Sequence, residues 1–118
     1  MSKAFGKYLR GRRELRQKDG PGFSLRKVAE QIGIQPSYVS KVERGDVSPP
    51  SEATIIKWAD VLGENPDVLL ALAGKVSADL RNVIVKRPTL FAQLIRELKD
   101  APDNALLRVV REVRDGDW

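Results

Sequence analysis

An all-α fold follows from three features of the 118-residue chain. Few stretches alternate apolar and polar residues, and no Asn-Gly or Asp-Gly pair links two β-branched runs as a hairpin would. Glycine and proline break the chain at helix-length intervals. Between those breaks apolar residues recur three and four apart, the period of a helix with one buried side.

Phe5, Leu9 and Leu15 are expected on one stripe of a first helix that ends before Gly20-Pro21-Gly22, since proline cannot continue the helical ladder. Ser24 suits the N-cap of a second helix, where its hydroxyl can accept an unpaired first-turn N–H. Val28, Ala29 and Ile32 form the buried side of that helix, and Gly33 stops it. A third short helix begins near Pro36, whose missing N–H would have had no partner in the first turn. It buries Val39 and Val42 and ends at Gly45. After Ser48-Pro49-Pro50-Ser51, the residues Ile55, Ile56, Ala59 and Leu62 mark a fourth helix closed by Gly63. Asn65-Pro66 supplies the cap and first turn of a fifth, with Val68, Leu69 and Leu72 inward.

Beyond Gly74, Ser77 is expected to cap a helix carrying Leu80, Val83 and Ile84. Pro88 opens another with Leu90, Phe91, Leu94, Ile95 and Leu98, and Ala101-Pro102-Asp103 separates it from a last helix with Leu106, Leu107, Val110 and Val113. Helices this short are not stable alone in water. Their stripes must be covered by each other, by the preceding domain or by a second chain. The expected division is a domain over residues 1–74 and a helical extension over residues 75–118, with no internal repeat.

Composition excludes several function classes. With no cysteine and no histidine, the chain has no disulfide, thiolate nucleophile, Cys/His zinc site, or Ser-His or Cys-His catalytic pair. Asp115-Gly116-Asp117 is at most a weak cation site, and no Gly-rich phosphate loop with Lys-Ser/Thr is present. No enzyme, metal site or cofactor is read. The longest apolar run, Val68 to Ala73, has six residues, against the roughly 20 that cross a bilayer. Met1 to Lys7 lacks the apolar core of a secretory signal, so a cytoplasmic protein is expected. The net charge of +5 is uneven: residues 1–48 carry 11 Lys/Arg against 5 Asp/Glu. That excess attracts a polyanion or is a solvated basic face, and charge alone does not choose.

Residues 24–45 hold the docking element. Two short helices meet through Gly33, which can take the positive φ of a tight turn. Ala29 is small where they must approach, and Val28, Ile32, Ile34, Val39 and Val42 converge on one core. The outer face of the second helix is then polar, with Ser37, Tyr38, Ser40, Lys41 and Arg44. A helix of this width fits the major groove of B-DNA, about 12 Å across.

The pattern Val28-Ala29, Ile32-Gly33-Ile34, Val39-Ser40 and Val42-Glu43-Arg44-Gly45 resembles the lambda-repressor-like (Cro/cI or XRE-type) helix-turn-helix family. Phe5-Gly6 and Leu9-Arg10 are similar to that family's first helix, and Ala59, Leu62-Gly63 and Pro66 to its fourth and fifth. The resemblance covers roughly residues 5–74 and implies a five-helix DNA-binding domain. It implies a recognition helix over about 36–44 whose N-terminal residues Gln35, Pro36, Ser37 and Tyr38 reach base edges. Lys41, one turn further along, is the candidate donor to guanine O6/N7, and Ser37 can contact either kind of base pair. Tyr38 packs on a thymine methyl, bonds a phosphate, or is half-buried. Arg44 matches a backbone-contacting position. Arg26 and Lys27 are placed for phosphate, helped by the dipole of the first motif helix, or are merely solvated. Glu43 is implied to pair with Arg13.

Two departures separate this chain from its relatives. Leu25 stands where many carry a phosphate-binding Gln, and Pro36 where several carry a base-reading Gln. The connection from Arg16 to Phe23 is also a few residues longer, and its Lys18 either touches phosphate or sits in solvent.

The resemblance implies a dimeric, sequence-specific transcriptional repressor, because a single motif contacts about half a turn of DNA. Leu90, Phe91, Leu94, Leu98, Leu106, Val110, Val113 and Trp118 are the candidate dimer contacts. The tail can instead cap its own domain or dock another protein. The alternative function is an antitoxin-like protein that binds a partner protein and autoregulates its own operon.

Overall fold

Capping chemistry sets the helix ends in the first half of the chain. A computed structural model describes residues 2–118, and among them it contains eight helices and no strand, so the all-α expectation is borne out. The first helix, α1 (Ser2–Asp19), stops before the Gly20-Pro21-Gly22 turn. Ser24 starts α2 (Leu25–Ile32) by accepting the Lys27 N–H on its hydroxyl. Gly33 ends α2 at φ 89°, in the left-handed region where a Cβ is disfavoured. There its own N–H and that of Ile34 both reach the Ala29 carbonyl. Pro36 occupies the first turn of α3 (Pro36–Arg44). Ser51 and Asn65 cap α4 (Glu52–Leu62) and α5 (Pro66–Leu72) through the N–H groups of Thr54 and Asp67.

The chain divides into two units, Met1–Ser77 and Ala78–Trp118. In the first, α1 packs chiefly on α3, α4 on α5, and α2 on both α3 and α4. The core joins Phe5 and Leu9 of α1, Val28, Ala29 and Ile32 of α2, and Val39 and Val42 of α3. It is completed by Ile55, Trp58, Ala59 and Leu62 of α4 with Leu69 and Leu70 of α5.

Three expectations about inward faces are corrected. Leu15 is 46% exposed. The step of four from Phe5 and Leu9 leads to Arg13, and Leu15 lies about 200° further round. Ile56 is exposed, and Trp58 takes its place in the spacing 55, 58, 59, 62. In α5, Leu70 is buried beside Leu69, whereas Val68 and Leu72 are exposed. An unbroken apolar run carries no polar residue to mark its outer face.

The second unit holds α6 (Ala78–Lys86), α7 (Pro88–Leu98) and α8 (Asp103–Asp115), of which α6 packs on α7. None of the three helices contains a buried residue. The N-cap positions of α7 and α8, Arg87 and Pro102, supply no side-chain cap. The Trp118 indole N–H donates to the Val113 carbonyl at 3.0 Å and so satisfies one acceptor at the end of α8. Among the described residues no helix is long and apolar enough to cross a membrane.

Candidate nucleic-acid interface

The orientation of α3 is set by its contacts with α1. Gly6 lies where the two backbones meet: a Cβ there would overlap the Val42 carbonyl oxygen and come within 2.6 Å of that of Glu43. Beside it, Arg13 Nε donates to Glu43 Oε2 at 2.7 Å and Nη2 to Oε1 at 3.0 Å. Two parallel bonds from a planar fork fix both distance and angle. The Arg13 and Glu43 side chains are only 9% and 4% exposed. The hydrogen bond to Glu43 raises the Arg13 pKa above its usual value, against the burial that would lower it. The pairing implied by the family resemblance is present.

With Val39, Val42 and Glu43 buried, the opposite side of α3 is solvent-facing. Gln35, Ser37, Lys41 and Arg44 are exposed, while Pro36 and Ser40 are half-buried. Tyr38 is also half-buried and packs on the core, which is the third of the alternatives left open for it. Lys41 makes no ion pair among the described residues. Arg44 is engaged: Nε donates to Asp46 Oδ2 at 2.8 Å and Nη1 to Ser40 Oγ at 2.6 Å.

At the start of α2, Arg26 and Lys27 are exposed, and Lys27 Nζ lies 4.0 Å from Glu30 Oε2 in a solvated pair. Leu25 packs against the core. The apolar residue at that position therefore adds packing where a glutamine would have added donors. Lys18 is exposed near the end of α1. The longer connection after it is anchored by Phe23, which packs on the core, and by Gln31 Nε2, which donates to the Gly22 carbonyl at 2.9 Å.

A second charged cluster was missed in the sequence. Glu64, in the α4–α5 turn, accepts from Tyr8 Oη at 3.0 Å and from Arg12 Nε at 3.1 Å, with Arg16 Nη2 at 3.7 Å. The hydrogen bond to Glu64, aided by burial, raises the Tyr8 pKa. Tyr8, Arg12 and Arg16 recur every four residues on one side of α1, a periodic signal that could have been found. Arg12, Arg13 and Arg16 all face carboxylates. These three arginines are therefore engaged within the domain, and the outward cations are those of α2 and α3 with Lys3, Lys7, Arg10 and Lys18.

Leu90, Phe91, Leu94, Leu98, Leu106, Val110, Val113 and Trp118 all lie in the second unit, exposed or half-buried. Residues 13–69 match the family model described as helix-turn-helix. No curated protein and no solved structure matches the chain.

Proposed function

The chain carries, over residues 13–69, a domain of the Cro/cI-type (XRE) helix-turn-helix family of DNA-binding transcription regulators, and from that premise we propose a dimeric repressor that seats α3 in the major groove of an operator. The observation that carries this reading is the two-sidedness of α3. Glu43, Val42 and Val39 clamp one side to the domain, and Ser37, Lys41 and Arg44 stand on the other. In this reading Gln35, Pro36 and Ser37 meet base edges, Lys41 donates to guanine O6/N7, and Arg26, Lys27, Ser40 and Arg44 bind phosphate. Tyr38 contributes through its exposed part only.

Dimerisation is assigned to α7 and α8. Each carries an apolar stripe with no buried residue, and a stripe of that kind is ordinarily covered by another surface. A second copy supplies that cover and doubles the DNA contact. Occupancy of a promoter is then sufficient for repression. If the chain is instead monomeric and the stripe takes up a different protein, the antitoxin-like reading gains.

Selection of bound duplexes from a random pool tests the proposal. The expected product is a two-fold symmetric site with half-sites about 34 Å apart or a multiple of that. Its affinity is expected to fall with salt by a log–log slope of about −0.9 per phosphate neutralised. A pool that shows no enrichment overturns the reading.

A further inference from the structure

Arg44 is the one outward cation of α3 that already holds an anion. Its guanidinium is bracketed by Ser40 Oγ on one side and the Asp46 carboxylate on the other. The carboxylate is brought there by the backbone. Gly45 turns the chain at φ 74°, and the Asp46 N–H is bonded to the Lys41 carbonyl at 2.9 Å. The backbone thus places Asp46 beside Arg44 in the free chain. Both side chains remain more than half exposed, so the pair is weak and open to exchange. A phosphate oxygen takes the same donors as a carboxylate oxygen.

We infer that Asp46 is an internal substitute for a DNA phosphate, a clasp that occupies Arg44 in the free protein and lowers the affinity of the domain for duplexes of any sequence. The inference rests on the reading of α3 as the DNA-facing helix and adds a residue that opposes binding. When a phosphate reaches Arg44, Asp46 loses its partner or shares it, and its negative charge is left close to the incoming one. Phosphates carry no sequence information, so the opposition is equal on matched and unrelated DNA. Asp46 thus sets how tightly the protein holds non-cognate DNA without altering which site it prefers.

The test is a double-mutant cycle on the full chain, with dissociation constants measured by fluorescence anisotropy for the selected duplex and for an unrelated duplex of equal length. Asp46→Asn removes the charge and keeps the shape. It is expected to tighten binding to both duplexes by about two- to fivefold at low salt, with the ratio between them unchanged and the gain shrinking as salt rises. In the Arg44→Ala background the competition is gone, and the same change is expected to give a clearly smaller gain, from residual repulsion alone. Asp46→Ser, checked for an unchanged melting curve, is expected to behave as Asp46→Asn does. A gain that is just as large without Arg44 overturns the clasp, because Asp46 then acts only as a like charge near the DNA. Unchanged or weakened binding by Asp46→Asn, while the wild type binds, overturns it as well and leaves the functional reading standing. A wild type that binds no duplex overturns both.

Discussion

Both units of the chain are built from short amphipathic helices, yet α1 to α5 share a continuous apolar core and α6 to α8 contain no buried residue. Helical periodicity is common to the two and does not account for the difference. What the first unit has in addition is a set of devices that bring particular helices together. Gly6 lets the backbones of α1 and α3 approach, the Arg13–Glu43 fork fixes their angle, and Glu64 gathers Tyr8, Arg12 and Arg16 onto the α4–α5 turn. Side-chain caps on α2, α4 and α5 add to this, whereas α7 and α8 have none at their N-termini. Amphipathic pattern makes a helix; a tertiary fold also needs specific long-range partners.

Breaking the fork is expected to have the largest effect. Glu43→Ala leaves the Arg13 guanidinium buried without its anion and should cost about 3–5 kcal/mol of stability by urea unfolding. Gly6→Ala puts a methyl into the α1–α3 contact and should cost about 1–3 kcal/mol, with α3 displaced from α1. In the second unit, Leu94→Asp should change monomer stability by less than about 0.5 kcal/mol. In sedimentation the same variant should shift the full chain from dimer to monomer; a variant as dimeric as the wild type removes α7 from the interface. The smallest effect is expected from Tyr8. Its pKa is raised above the ordinary value of 10.0 because the neutral phenol donates to Glu64. The stability this contact contributes is full below pH 10 and is lost as pH rises through the higher folded value. The urea midpoint should therefore fall as pH rises above about 10, and less so in Tyr8→Phe.

These same differences explain what could be read from the chain beforehand. Helix ends were legible because Ser24, Gly33, Pro36, Gly45, Ser51 and Asn65 act on backbone groups within a few residues of themselves. Tyr38, expected on the outer face of α3, packs partly on the core, whereas the buried side of that helix was legible from Val39 and Val42. The inward side of α5 was not, since every residue from Val68 to Ala73 is apolar and periodicity has nothing to contrast. Ile56 stands in for Trp58 for a related reason, being an apolar neighbour of the stripe to which Trp58 belongs. Glu64 was out of reach of any local rule, because its partners Tyr8 and Arg12 are more than fifty residues away. The Arg44–Asp46 pair lies only two residues apart, but the resemblance that assigns Arg44 to the DNA backbone says nothing of the carboxylate beside it.

The claim at the centre of this account is that the clamped helix α3 reads base sequence with its outward side, and Lys41 is the residue on which it can be tested most directly. The measurement is the dissociation constant of Lys41→Ala for the selected duplex and for an unrelated one, side by side with the wild type. A loss of about 1–3 kcal/mol on the selected duplex, with little on the unrelated one, is the expected result. No loss on either duplex, or an equal loss on both, would contradict it.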